Sequence, residues 1–469
     1  SLKPLKTWLN LDQHTMAEYA SLMLFASVFL LLLMGYPVAL TLAGTSLLAA
    51  AVGIATGHFD LVFLYATPNR VFGIMTNQTL IAVPLFVLMG IILEKSKIAE
   101  DLLDAMTRSF GALPGGLGFA VCMVGMLMAA STGIVGATVV TMGLMALPTM
   151  LKAGYHPSLA TGTICATGTL GQIIPPSIAL VLLGDVIASA YQQAQLSSGI
   201  FNPRSISVGD LFAGAIIPGF ILVALYSLLV VLTAVFKPEL APPTKLPAVK
   251  LNQLLFSTMP PLLLIVTVLG SILLGMATPT EAAGVGALGA FLLALSKGTF
   301  STDKLRSTLQ ATTQTTSMVF FILIGASLFS LVFRGYGGDE LVQSLFNDMP
   351  GGVFGATCVV MVVIFLLGFI LDFIEITFVV VPIVGPILMA MGVDPVWLGI
   401  MIAINLQTSF LTPPFGFALF YLRGAVGDQV KTSDIYIGVI PFILIQLLLL
   451  VFLAWQPWIA TWLPSQLYN

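Results

Sequence analysis

The longest uncharged stretch of the sequence limits the kind of fold that this chain can adopt. The 43 residues from Ser109 to Leu151 contain no Asp, Glu, Lys or Arg. Because one helical crossing of a bilayer takes about 20 apolar residues, this stretch supplies two crossings or one hairpin that enters the membrane and returns. Two more uncharged stretches run from Ser307 to Phe333 and from Ile435 to Asn469. The pattern predicts an all-α polytopic membrane protein with about ten to twelve crossings.

Composition excludes the soluble classes of protein. Hydrophobic residues make up 58% of the chain and charged residues 8%, whereas soluble domains are about 25% charged. The net charge of −3 offers no basic patch for nucleic acid, and membrane lipid is the expected surrounding. The three cysteines and three histidines lack the spacing of a disulfide framework or a metal site. No phosphate-binding loop of the Gly-x-x-x-x-Gly-Lys-Ser/Thr kind is present, which argues against ATP-driven pumping by this chain.

Basic residues are clustered, and the clusters predict how the chain is oriented. The stretch from Gly335 to Gly352 contains acidic residues but no cation. The positive-inside rule therefore places three basic groups in the cytoplasm and this acidic stretch outside. The side of the N-terminus stays open. The basic groups are Lys95, Lys97 and Arg108; Lys237, Lys245 and Lys250; and Lys297, Lys304 and Arg306.

An internal repeat is the most informative pattern in the sequence. Four prolines and one glycine recur at a constant offset of 238 residues, and a Pro-Gly-Gly recurs at an offset of 236. The arm before the first Pro-Gly-Gly is basic and the arm before the second is acidic, so the two copies are predicted to be inverted in the membrane. Inverted repeats with proline-interrupted segments are typical of secondary transporters. The matched positions are Pro148, Gly154, Pro157, Pro175 and Pro176 with Pro386, Gly392, Pro395, Pro413 and Pro414, and Pro114–Gly116 with Pro350–Gly352.

The repeat divides the chain into five predicted regions. Each repeat is expected to hold an arm, one re-entrant hairpin and one helix that is broken at its Pro-Pro pair. The regions are 1–77, an N-terminal extension with scaffold helices; 78–236, the first repeat; 237–309, a cytoplasmic loop with connecting helices and a second loop; 310–455, the second repeat; and 456–469, a C-terminal tail.

The two Pro-Pro pairs are the first candidate binding elements. Each pair removes two backbone donors and disfavours helix just before it, which leaves carbonyl groups and half-helix ends at membrane depth. Such backbone is tolerated only inside protein or beside a cavity. Exposed carbonyls suit sodium and half-helix N-termini suit a carboxylate, although a structural kink is the alternative. Side-chain oxygens near the pairs are those of Thr169, Gln172, Ser177, Gln407, Thr408, Ser409 and Thr412.

Two polar segments are candidate hairpin tips. The segment Ala129–Thr138 is small and rich in glycine and hydroxyl groups, as a re-entrant tip requires, although small residues also favour close helix packing. In the second copy, Asp372 and Glu375 stand three residues apart, on one face of a helix. Intramembrane carboxylates are candidates for binding a cation, a proton or substrate. The alternative is a pair of charges in water at a hairpin tip or at the membrane edge.

Three motifs give the chain a resemblance to a known family. They are Ala-Ser-Thr-Gly-Ile-Val-Gly-Ala-Thr from Ala130, Gly-Gln-Ile-Ile-Pro-Pro-Ser from Gly171 and Phe-Leu-Thr-Pro-Pro-Phe-Gly from Phe410. Together they resemble the large membrane subunit of TRAP (tripartite ATP-independent periplasmic) transporters. The resemblance implies an elevator-type inverted repeat in the cytoplasmic (inner) membrane of a bacterium or archaeon. It also implies sodium symport of an organic acid such as a C4-dicarboxylate, a keto acid or sialic acid. The implied partners are a small four-helix membrane subunit and a periplasmic substrate-binding protein.

The resemblance also assigns site residues. The tip reads Ser-Thr-Gly-Ile-Val-Gly, where many family members have a Ser-Gly-Ser tip with a proline, which shifts its register by about one residue. The implied sodium ligands, mostly through backbone oxygens, are Ser131, Gly168, Gly171, Gln172, Pro175, Asp372, Thr408, Thr412 and Pro413. The implied substrate residues are Thr132, Gly133, Ser177, Asn405 and Asp372.

Two other functions compete with this interpretation. A stand-alone exchanger of related architecture would need no binding protein, and proton coupling through Asp372 or Glu375 would favour it. An intramembrane enzyme needs a nucleophile with a base, or a metal, and neither His58 nor His156 has an evident partner in the sequence. We therefore expect a transporter, not an enzyme, with sodium as coupling ion and no organic cofactor.

Overall fold

A computed structural model describes residues 19–244, 251–298, 300–347 and 349–468. Within these ranges the regular elements are helices, and no strand is present. The predicted all-α class is therefore confirmed. Three sequence features lie outside the described residues, namely the polar segment 1–18, the cations Lys245 and Lys250, and the anion Asp348.

Twenty-one α-helices are found in the described ranges. They are α1 (Tyr19–Leu33), α2 (Val38–Thr56), α3 (Thr67–Thr76), α4 (Ala82–Lys95), α5 (Ile98–Phe110), α6 (Gly116–Thr132), α7 (Val135–Lys152), α8 (Pro157–Thr169), α9 (Ile178–Ser197), α10 (Val208–Phe236), α11 (Leu251–Leu273), α12 (Pro279–Ser296), α13 (Thr302–Gly335), α14 (Gly338–Asn347), α15 (Gly352–Leu367), α16 (Phe373–Val379), α17 (Val381–Ala390), α18 (Pro395–Leu411), α19 (Phe417–Val426), α20 (Thr432–Trp455) and α21 (Trp458–Tyr468).

Seven of these helices are long and apolar enough to cross a membrane: α2, α7, α10, α11, α12, α13 and α20. The pair α16 and α17, bent by 56° at Val380, gives an eighth span when counted as one. The chain is thus a multi-pass membrane protein. The sequence estimate of ten to twelve crossings is higher because it counted apolar residues, and several apolar stretches are divided into shorter helices, namely α1, α6, α15 and α18.

The chain forms two compact units. The first comprises residues 1–77, 186–205 and 316–393, and the second comprises 78–185, 206–315 and 394–469. These units follow packing, whereas the predicted regions follow sequence matches, so the boundaries of the repeats remain predictions. In the first unit, the Tyr336 hydroxyl donates to the carbonyl oxygen of Ala49 at 2.7 Å, and its ring lies 4.9 Å from that of Phe59.

Helix α8 lies at the centre of the second unit. It packs against α6, α7, α18 and α20, and every residue from Ala160 to Gly184 is buried. At the crossing with α20, a Cβ added to Gly162 would collide with the carbonyl group of Gly438, and one added to Gly438 with that of Ser158. Small residues at such a crossing let the two backbones come into contact. Dispersion attraction across such contacts favours helix association in lipid, where the hydrophobic effect does not drive it.

Candidate functional site

The first Pro-Pro pair separates α8 from α9. Helix α8 ends at Thr169, a single 3-10 turn covers Leu170–Gln172, and α9 begins at Ile178. The intervening Pro175–Pro176 peptide bond is cis. Because the prolines lack N–H groups and restrict the residue before them, the helix cannot continue through this segment. We call residues Leu170–Ser177 the first break.

A serine closes the first break. The Ser177 hydroxyl donates to the carbonyl oxygen of Gly171 at 2.7 Å and accepts from the N–H of Leu180 at 3.4 Å. The side chain thus caps the start of α9 and satisfies a carbonyl that the break has released from the helix. Ser177 is fully buried.

The turn between α6 and α7 is tight and carries hydroxyl groups. Gly133 ends α6 with a φ of +62°, which favours glycine. The hydroxyls of Ser131 and Thr132 both donate to the carbonyl oxygen of Met128, at 2.9 and 3.0 Å. The hydroxyls of Thr132 and Thr138 are 2.6 Å apart. Hydroxyls that donate to nearby backbone keep their oxygen lone pairs as acceptors.

This turn packs directly on the first break. A Cβ added to Gly133 would lie 2.8 Å from the backbone nitrogen of Ile178, and one added to Gly171 would lie 3.6 Å from the carbonyl oxygen of Ala129. The structure therefore brings together two groups of residues that the sequence assigned to the site. They are Ser131, Thr132 and Gly133 of the turn, and Gly168, Gly171, Gln172, Pro175 and Ser177 around the break.

The second Pro-Pro pair separates α18 from α19. Helix α18 ends at Leu411, the Pro413–Pro414 bond is cis, and α19 begins at Phe417. The Thr412 hydroxyl donates to the carbonyl oxygen of Thr408 at 2.7 Å. We call residues Thr412–Gly416 the second break.

Helix α18 reaches the first break. It packs against α8 and against the 3-10 turn that follows α8. The side-chain amide of Gln407 donates through Nε2 to Thr169 Oγ1 at 3.3 Å. Two assigned residues, Asn405 and Thr408, are therefore on a helix that contacts the first break, and Thr412 directly follows the end of this helix. Asn405 and Thr408 are buried.

Asp372 belongs to the first unit, and the other assigned residues belong to the second. Its carboxylate accepts from the N–H of Phe373 at 2.7 Å, and the Glu375 carboxylate accepts from the N–H of Asp372 at 2.9 Å. The two acids form a capping box at the start of α16. The spacing Asp-x-x-Glu is itself a capping-box signal in the sequence. A role of Asp372 in binding sodium or substrate stays a prediction.

The oxygen atoms of the second unit that have acceptor capacity left are the candidate ligands of a hard monovalent cation. Among the described residues, no three His, Cys, Asp or Glu side chains come together as transition-metal ligands. The hydroxyls of Ser131, Thr408 and Thr412 each donate to backbone, which leaves their oxygens as acceptors. Gln172 Oε1 is buried and accepts no hydrogen bond from any described residue. Backbone carbonyls and such oxygens are the ligands expected for sodium at a broken helix.

Sequence reasoning missed two buried residues beside this region. Tyr226 of α10 and Gln446 of α20 are fully buried, and Gln446 Nε2 donates to the Tyr226 hydroxyl at 2.7 Å. The available signal was a polar side chain in the middle of a long apolar helix, which is costly unless it is paired.

Comparison with known proteins adds three findings. The family profile described as "Tripartite ATP-independent periplasmic transporter, DctM component" matches residues 25–459. The C4-dicarboxylate TRAP transporter large permease protein DctM of Pseudomonas aeruginosa is 31% identical over 85% of this chain and 89% of its own length. The sialic acid TRAP transporter large permease protein SiaM of Vibrio cholerae is 27% identical over 93% and 96%. Among solved structures, the Alcanivorax borkumensis YdaH transporter has a similar fold, with a TM-score of 0.62, 14% identity, and coverage of 95% of this chain and 98% of that one.

Proposed function

Because the chain belongs to the family of TRAP transporter large permeases, we propose that it imports an organic acid through the cytoplasmic membrane, driven by a sodium gradient. A permease of this family is a transporter subunit and not an enzyme. The family name describes a tripartite system that works without ATP. The proposed partners are accordingly a small membrane subunit of four helices and a periplasmic protein that delivers the substrate.

The observation that carries the proposal is the packing of the α6–α7 turn on the first break, with α18 beside it. This arrangement gathers backbone carbonyls and hydroxyl oxygens in a buried part of the second unit, where they can replace water around a cation. We propose that sodium binds between the turn and the first break, near Ser131 and Gly171. A second sodium ion would bind at the second break, near Thr408 and Thr412.

The substrate is proposed to be a carboxylate. One relative is named for C4-dicarboxylates and another for sialic acid, and both of these compounds are organic acids. The N-terminus of α9 begins at the first break, where its N–H groups favour an anion. The backbone N–H groups at this helix start are the proposed donors to the carboxylate, and Thr132 and Ser177, whose hydroxyl protons are donated to backbone carbonyls, are proposed to line the site beside them. Alternating access by an elevator movement of an inverted repeat is the mechanism that we propose.

The experiment is uptake by proteoliposomes that contain the chain with its small subunit, supplied with its binding protein. Labelled succinate, pyruvate and N-acetylneuraminate are tested under an inward sodium gradient, an equal potassium gradient and an inward proton gradient. We expect one of the acids to accumulate only with sodium. Accumulation driven by protons without sodium, and without the binding protein, would support the stand-alone exchanger instead.

A further inference from the structure

One hydrogen bond joins the two helices that carry the breaks. Gln407 Nε2 of α18 donates to Thr169 Oγ1 of α8 at 3.3 Å, and both side chains are fully buried. The Thr169 hydroxyl donates its only proton to the carbonyl oxygen of Ala166, at 2.8 Å. Thr169 can therefore only accept from Gln407, and this fixes the orientation of the Gln407 amide.

The bond links corresponding positions of the two sequence copies. Thr169 and Gln407 are 238 residues apart, the same offset that relates Pro175 to Pro413. When two halves of a protein are related by a two-fold axis, corresponding positions meet only where the axis passes. On the proposed inverted repeat, the Thr169–Gln407 bond therefore marks the point about which the two breaks are symmetric.

A second buried glutamine of the same unit is also only partly paired. Gln446 of α20 donates through Nε2 to the Tyr226 hydroxyl of α10 at 2.7 Å. The Oε1 atoms of both glutamines are buried and accept no hydrogen bond of good geometry from the described residues. An apolar side chain of similar volume would avoid the cost of burying an incompletely paired amide. A role beyond stability is the better explanation for Gln407.

Both partners of the bond are next to the proposed ligands. Thr169 directly precedes the 3-10 turn Leu170–Gln172 of the first break, and Gln407 directly precedes Thr408 of the second site. A cation that drew the first break inward would move the end of α8, and the bond would pass this displacement to α18. Thr169 belongs to α8, which ends at the first break, and Gln407 belongs to α18, which ends at the second break. A movement of one helix end can therefore reach the other break through this bond without a chemical change.

We propose that the Thr169–Gln407 hydrogen bond couples the two breaks, so that sodium at one break raises the affinity for sodium at the other. This inference rests on the proposed sodium sites. Coupling between two binding sites is reciprocal, so loss of the bond should weaken binding at both breaks and make their saturation independent.

The test is a sodium titration of uptake in proteoliposomes that contain the chain and its small subunit. Wild type is expected to give a Hill coefficient clearly above 1. Thr169→Val and Gln407→Met keep the side-chain volume but remove the bond, and each is expected to bring the coefficient close to 1. The half-saturating sodium concentration should rise about fivefold or more, the lower end of typical coupling. The double variant should behave like either single variant, because both remove the same interaction.

Two controls separate coupling from a loosened core. Thr169→Ser keeps the hydroxyl and should keep the wild-type coefficient. Gln446→Met removes another buried amide of the second unit but leaves the bond in place, and should also keep the wild-type coefficient. The inference is overturned if wild type has a coefficient of 1, if Gln407→Met keeps the wild-type coefficient, or if Gln446→Met loses it. Uptake that needs no sodium in wild type overturns the proposed function instead.

Discussion

The two breaks share a sequence motif but differ in their surroundings. Both contain a cis Pro-Pro bond that follows a helix of the second unit. The first break is buried throughout, whereas Pro414 and Phe415 of the second are exposed, Phe415 by 55%. The Pro-Pro segment is therefore buried in one copy and partly exposed in the other.

The two breaks are also closed by different chemistry. In the first, the Ser177 hydroxyl bonds the carbonyl oxygen of Gly171. The position of Ser177 corresponds to the exposed Phe415 in the second copy, at the offset of 238. There, the ring of Phe410 packs edge-to-face on that of Phe417 at 5.3 Å. The carbonyl groups of a buried break must accept hydrogen bonds from protein groups. The carbonyl groups of an exposed break have no such requirement, and packing of aromatic rings on its buried side can stabilise it.

The largest expected effect tests the role of packing at the second break. Phe410 is 1% exposed, so Phe410→Ala should destabilise the protein by about 3–5 kcal/mol through lost burial and a cavity. The matched control, Phe415→Ala, should change stability by no more than about 0.5 kcal/mol because its ring is exposed. Thermal unfolding in detergent measures both. Equal melting temperatures for the two variants would contradict the assignment of Phe410 as the closing residue.

The next effect tests the contact between the α6–α7 turn and the first break. Gly133→Ala places a Cβ at positive φ and 2.8 Å from the backbone nitrogen of Ile178. The conformation alone costs about 1–3 kcal/mol, and the collision adds to this. Gly57 ends α2 in a similar conformation, with a φ of +76° and no neighbour within 4 Å of the added atom. Gly57→Ala should therefore lower the melting temperature less than Gly133→Ala, and the reverse order would refute the contact.

A smaller effect tests how the first break is closed. Ser177→Ala leaves the Gly171 carbonyl oxygen without its donor in a buried place, which costs about 1–3 kcal/mol. Ser296 is a suitable control because its hydroxyl makes an exposed bond to the carbonyl oxygen of Leu293 at 2.7 Å. We expect Ser296→Ala to be nearly neutral in the same unfolding assay. A neutral Ser177→Ala would show that the hydroxyl does not close the break.

The smallest expected perturbation is thiol labelling, which measures how accessible each break is to a reagent. Cys122 and Cys165 are buried and Cys358 is exposed, so a Cys358→Ala background suits thiol labelling. In that background, Phe415→Cys should react with a maleimide in native membranes and Ser177→Cys should not. Reaction at both positions would remove the difference between a sealed and an open break.

The sequence was informative about those features of the fold that charged residues and prolines determine. Missing charges predicted the helical membrane class. The two Pro-Pro pairs lie in the segments between α8 and α9 and between α18 and α19, and their role as binding elements stays a prediction.

The sequence was not informative about which helices meet, because membrane helices are apolar on faces toward lipid and on faces toward protein. The motifs from Ala130 and from Gly171 were assigned to one site through the family resemblance. The packing contact between Gly133 and the first break could not be predicted from the residues themselves. The capping role of Asp372 was not predicted, because the spacing of the two acids was used only to place them on one helical face, with cation, proton, substrate and a water-exposed charge left open.

Thermal stability of the purified protein in sodium, potassium or choline chloride, at equal ionic strength, tests the central claim most directly. A ligand that binds only the folded state stabilises it by about 2.7 kcal/mol at a concentration of 100 times Kd. We expect a saturable rise in melting temperature with sodium alone, reduced in Ser131→Ala and in Thr412→Ala. The contradicting result is equal stability in the three salts together with a dependence on pH that Asp372→Asn abolishes.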